Sequence, residues 1–136
     1  MIREALIYRL KQVSEVVSSG ITAGNKVFWL RFGDPKQAPA LTFALAGGSP
    51  DDPTTCGSPA SGTADFDVYA WSRNGCEAAT IIEAIISEMH GAAWTADSTQ
   101  VTLCEVVERL EDHWEREPFL MAGAGISLRL YFRPSA

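Results

Sequence analysis

Between residues 64 and 71 the side chains alternate with a period of two. Ala64, Phe66, Val68 and Ala70 fall on one face and Asp65, Asp67, Tyr69 and Trp71 on the other. The pattern predicts a strand with one buried face. Asn74 then stands as a helix N-cap with Glu77 at the capping-box position, an arrangement that satisfies two of the unpaired amides at a helix start. Ala78, Ile81, Ile82, Ile85 and Met89 recur at threes and fours, which predicts a helix with one core-facing stripe, and Gly91 suits its C-terminal end.

The flanking segments follow the same logic. Ile2, Leu6, Leu10, Val13 and Val17 keep a helical period over residues 2–18, and Gly20 is a plausible stop. Residues 27–32 are β-branched and aromatic between turn residues, so they read as a strand, and residues 40–46 read as another. Residues 91–98 are expected to form a linker. Residues 100–110 suit a strand, although the pattern loses a single period from Glu105 to Glu117. In the last segment Ile126, Leu128, Leu130 and Phe132 alternate with Ser127, Arg129, Tyr131 and Arg133, which predicts a closing strand. The preceding Gly123 and Gly125 are expected to permit a tight turn into Ile126.

This order of elements lacks a regular strand–helix–strand alternation. It predicts an α+β fold, a mainly antiparallel sheet with two main helices packed on one face. Residues 47–62, filled mostly with Gly, Ser and Pro, break the pattern as a long loop. Folded back on itself, an arm of that length reaches on the order of 25 Å, far enough to touch another subunit.

The opposite sheet face would show Asp65, Asp67, Tyr69 and Trp71 beside Arg129, Tyr131 and Arg133. Tyr, Trp and Arg dominate binding hot spots, so these seven residues form a candidate protein interface. Cross-strand pairing within one subunit explains the same residues, with Asp opposite Arg and Tyr opposite Trp. Both readings stand at this stage.

With 136 residues the chain is sized for one domain, and 11 basic against 17 acidic residues leave it at −6. That balance argues against a nucleic-acid footprint, which needs clustered Lys and Arg. Charges interrupt the N-terminal segment too often for a signal peptide or a spanning helix, so a soluble, unexported chain is expected. Cys56, Cys76 and Cys104 are odd in number and widely spaced, which fits reduced thiols better than a disulfide framework or a zinc half-site.

Candidate chemistry is sparse. His90 and His113 are the two imidazoles, and a pairing of Cys76 with His90 or of Cys104 with His113 is the weak enzymatic reading. Asp65 and Asp67 share a strand face but lack a visible third ligand, so a solvated or Arg-paired face explains them better than a cation site. The acidic run from Glu105 to Glu117, interspersed with Arg109 and Arg116, reads as a solvated face. No phosphate-binding glycine motif is present. Neither catalysis, a metal nor a cofactor is expected.

Taken together, the N-terminal helix around Leu6, Leu10 and Val13, the Asp65-Phe-Asp-Val-Tyr-Ala-Trp-Ser strand running into Ala78, Ile82 and Met89, the Glu108-Arg-Leu-Glu-Asp stretch and the closing Leu128-Arg-Leu-Tyr-Phe-Arg strand resemble the small tail-completion or tail-terminator proteins of long-tailed bacteriophages and prophages. The chain departs from that pattern in the Gly/Pro/Ser richness of residues 47–62. The resemblance implies a structural virion protein of the tail or neck, assembled in the bacterial host cytoplasm as a homo-oligomeric ring, most often a hexamer. Such a ring caps the tail tube, stops polymerisation of the major tail tube protein and offers a face to a head-completion protein. DNA would pass through its lumen without specific binding, and no membrane is involved. Asp51, Asp52, Thr54 and Thr55 would then form a loop facing the tube or lumen, where carboxylates repel DNA. A head-closure or connector neck protein, or an unrelated α+β interaction domain, remains the alternative.

Overall fold

Alternation along the third strand organises the whole molecule. The computed structural model describes residues 2–22, 26–29, 39–48, 62–96, 98–115 and 121–134. Their elements run α1 (Ile2–Leu10), α2 (Ser14–Ser18), β1 (Val27–Trp29), β2 (Ala40–Gly48), β3 (Gly62–Ser72), α3 (Gly75–Met89), β4 (Trp94–Ala96), β5 (Thr99–Glu115) and β6 (Met121–Pro134). The six strands form one sheet in the order β1-β2-β3-β6-β5-β4. All neighbours are antiparallel except β1 and β2, which are parallel. Over the described residues the fold is therefore mixed, three helices and a mainly antiparallel sheet, and the predicted N-terminal helix is two.

One sheet face makes the core. Phe66 stands opposite Leu45 and Leu128, and Val68 opposite Phe43 and Ile126, so apolar side chains align across three strands. Phe43 lies 6.3 Å from Phe66 and meets Trp29 edge-on at 5.1 Å between ring centroids. The α3 stripe of Ala78, Ile81, Ile82, Ile85 and Met89 is buried against this face, as its spacing predicts. Each such aliphatic or aromatic side chain contributes about 1.5–3 kcal/mol on burial, so packing rather than helix propensity holds α3 in place.

The α3 start differs from a closed capping box. Asn74 Oδ1 accepts the Cys76 N–H at 2.9 Å, but Glu77 does not reach Asn74 directly. Its carboxylate accepts from Ser72 Oγ at 2.7 Å, and Ser72 Oγ accepts the Asn74 N–H at 3.1 Å. The last residue of β3 thus relays the cap. At the other end, Gly91 takes φ +80°, the left-handed conformation a glycine adopts without strain.

The predicted helix over residues 2–18 breaks at Val13, which is extended at φ −65°, ψ 133°. Contacts distant in sequence cause the break. Thr22 Oγ1 donates to Lys11 O at 2.7 Å, and Glu88 of α3 accepts the Ser14 N–H at 3.1 Å, an anionic cap on the start of α2. The break shifts the helical phase by one residue. Val16 is consequently buried, whereas Val17, which the uninterrupted period placed in the core, is 51% exposed.

Two further expectations change. Residues 94–96 form a strand instead of a linker, paired with Thr99–Val101 of β5 and pinned to α1 by Trp94 Nε1 donating to Ala5 O at 2.9 Å. The acidic run continues β5 through Glu115. Its register against β6 shifts between Val101 and Leu103, between Val106 and Glu108, and between Leu110 and His113. Such bulges bend and twist the longer strand, so the β5–β6 pair curls. They also explain why no single period spans β5.

Candidate functional site

β3 and β6 place the predicted interface residues on one sheet face, opposite the helices. The register sets Asp65 against Arg129, Thr63 against Tyr131, Asp67 against Ser127, Tyr69 against Gly125 and Trp71 against Gly123. Arg133 stands on the same face at the end of β6 and donates from Nε to Gln100 Oε1 at 2.9 Å.

Arg129 is the charged centre of this face. Its Nε donates to Asp65 Oδ1 at 2.9 Å and its Nη2 to Oδ2 at 3.4 Å. Hydrogen bonding to Asp65, and then to Tyr131, pushes the guanidinium above its ordinary range, so it stays charged. β5 brings two more carboxylates beside it: Glu105 stands opposite Arg129, and Glu108 opposite Ser127. The pattern of β5 conceals both, because the bulges break its alternation. With Asp67 they leave the middle of the face acidic.

The aromatic end is built differently. Tyr69 and Trp71 have centroids 5.9 Å apart and planes 31° apart, and Trp71 Nε1 donates to Thr42 Oγ1 at 2.9 Å. Their rings lie across Gly123 and Gly125, which are buried inside β6. A Cβ on Gly123 would approach Trp71 Cζ3 to 2.7 Å, and one on Gly125 would approach Tyr69 Cδ1 to 2.6 Å. These glycines therefore make room for rings, and the expected tight turn before Ile126 is instead straight ladder. The expected pairing of Tyr opposite Trp becomes two aromatic–glycine pairs.

The remaining candidates lie elsewhere. Asp51, Asp52, Thr54 and Thr55 fall outside the described residues, as does Cys56. Cys76 is exposed at the start of α3, whereas Cys104 is buried. Burial pushes the Cys104 thiol up to about 12, with Arg9 opposing and Glu105 adding to the shift. It is protonated at neutral pH and is no nucleophile there. His90 Nδ1 accepts the Val106 N–H at 3.0 Å, a structural role at the second β5 bulge. Among the described residues no three His, Cys, Asp or Glu gather as metal ligands, and no helix is long and apolar enough to cross a membrane.

A face of aromatic, arginine and carboxylate side chains suits contact with another protein. The sequence matches the family described as Tail completion protein gp17 over residues 4–115. The chain belongs to that family. The match covers β3 and β5 of the candidate face and ends before β6, which carries Arg129, Tyr131 and Arg133. This tail-completion protein is thus a structural component of a phage-type virion tail. No curated protein matches it significantly. Among solved structures it is similar to a chain of a virion of a native gene transfer agent particle, with a TM-score of 0.58 and 11% identity over 95% of this chain and 92% of that one. At that identity the likeness concerns the fold.

Proposed function

We propose that this tail-completion protein is a ring-forming tail terminator. Membership of the family across residues 4–115 carries the reading. Copies assemble head to tail into a ring, expected to be a hexamer, since contacts between two different patches close by rotation. The ring sits on the end of the tail tube and buries its growing face, so the next tube subunit finds no edge to join. Its far side receives a head-completion protein, and DNA passes through the lumen without specific binding.

The face carrying Asp65, Asp67, Tyr69, Trp71, Arg129, Tyr131 and Arg133 supports this reading as a subunit contact, because rigid aromatic rings beside an oriented guanidinium are what protein interfaces concentrate. The loop bearing Asp51, Asp52, Thr54 and Thr55 is assigned to the tube or lumen side, where carboxylates repel the DNA backbone. Native mass spectrometry of the chain mixed with purified tail tubes tests the assignment. The wild type is expected as a tube-bound ring, and Tyr131→Ala combined with Arg129→Glu as a folded chain that forms none. Rings of unchanged abundance in that variant would move the subunit contact off this face.

A further inference from the structure

The two edges of the sheet carry opposite charge. Among the described residues the sheet ends on one side in β1, Val27–Trp29. Lys26 enters this strand, donating its N–H to Ile21 O and accepting the Leu41 N–H, each at 2.9 Å. The Arg3 guanidinium lies 4.3 Å from the centroid of Trp29, the last residue of β1. Lys26 at the entry of β1 and Arg3 over its last ring thus put two basic residues at that strand.

The other side is acidic. There β4 covers only Thr99–Val101 of β5. The next stretch is pinned by the chain after α3: Gly91 N–H donates to Cys104 O at 2.7 Å, Cys104 N–H to Ala92 O at 2.9 Å, and Val106 N–H to His90 Nδ1 at 3.0 Å. From residue 107 to 115 the described pairing of β5 is with β6 alone. This stretch, open among the described residues, begins with Val107, 47% exposed at a bulge, and runs on in sequence through Glu108, Arg109, Glu111, Asp112 and Glu115. Arg109 is held by Glu83 of α3.

Bulges and like charges along an open edge suppress indiscriminate strand addition and leave it to a partner of opposite charge. In this chain the basic β1 edge is that complement. We propose, resting on the ring reading above and in addition to its sheet-face contact, that residues 107–115 of one copy dock along the β1 edge of the next copy, continuing the sheet from subunit to subunit. The contact joins two different edges, so it is heterologous and closes by rotation. Main-chain hydrogen bonds supply attraction, while the acidic and basic flanks fix orientation and exclude pairing of two acidic edges.

Charge exchange tests this directly. Glu108→Lys and Lys26→Glu are compared singly and together in one chain, by native mass spectrometry with and without tail tubes and with circular dichroism as the folding control. Each single reversal is expected to weaken ring assembly about tenfold or more, and the double reversal to restore it. Amide exchange at residues 107–110 is expected to slow on assembly of the wild type. Rings that ignore all three variants would overturn the edge contact and leave the ring reading intact, as would single defects that the double reversal fails to repair. A wild-type chain that stays monomeric even on tubes would overturn both.

Discussion

Trp71 on β3 lies over Gly123 on β6 so closely that any β-carbon there would meet the indole at 2.7 Å. Glycine weakens a strand interior, because it loses more backbone freedom and packs no side chain. Here the ring supplies the missing packing, and alanine has no room. Gly123→Ala is expected to destabilise the fold by about 1–3 kcal/mol, the range for overpacking, in urea denaturation. In a Trp71→Ala background the same substitution is expected to cost far less, because the two residues share one volume. Equal costs in both backgrounds would contradict the packing account.

Glu88 ties α3 to the start of α2 through the Ser14 N–H, while Arg9 Nη2 donates to Glu88 O at 3.0 Å. Glu88→Ala leaves the α2 amide without its acceptor. The expected loss is about 0.5–2 kcal/mol, as for removal of an N-cap, with faster amide exchange in α2 than in α3. Glu88→Gln keeps an acceptor oxygen and is expected to lose less.

Cys104 sets an alkaline limit on stability. Its folded value, pushed to about 12 by burial, lies above the ordinary 9.0. Below about 9 the thiol is protonated in both folded and unfolded chains. Between about 9 and about 12 the unfolded chain releases that proton and the folded chain keeps it, so stability falls as pH rises through this window. Other groups titrate there too, so the measurement is a comparison: denaturation of the wild type is expected to fall more steeply over this range than that of Cys104→Ala. Thiol alkylation at neutral pH is expected to modify exposed Cys76 and to spare Cys104 until the chain unfolds.

The Asp65–Arg129 pair is expected to matter for assembly more than for folding. Both side chains are partly exposed, at 30% and 40%, and such pairs add little to folding. Asp65→Asn is therefore expected to leave the midpoint of thermal unfolding nearly unchanged. Ring assembly is expected to weaken, because Arg129 then keeps a single neutral acceptor in place of the two carboxylate oxygens that orient it. A large loss of thermal stability with unaltered assembly would reverse that assignment.

What could be read from the chain followed the range of the forces involved. β3 and α3 were legible because burial repeats every two residues in one and every three or four in the other, and the structure keeps Phe66, Val68, Ile82 and Ile85 where those periods put them. The break at Val13 was hidden, since its causes, Thr22 and Glu88, act through the folded chain. β4 is too short to show a period and exists through its pairing with β5 and the Trp94 bond to Ala5. On the candidate face, β3 and β6 were readable by alternation. Glu105 and Glu108 were not, because each bulge in β5 reverses the face that follows it. Gly123 and Gly125 read as turn residues in sequence because the rings that lie over them come from β3, more than fifty residues away.

The central claim is that this protein ends the tail tube. Tube protein assembled with and without the purified chain, with tube lengths measured by negative-stain electron microscopy, tests it most directly. Termination predicts that added chain shortens and narrows the length distribution and appears as a ring at one end of each tube. Lengths that do not respond, with the chain absent from tube ends, would contradict it.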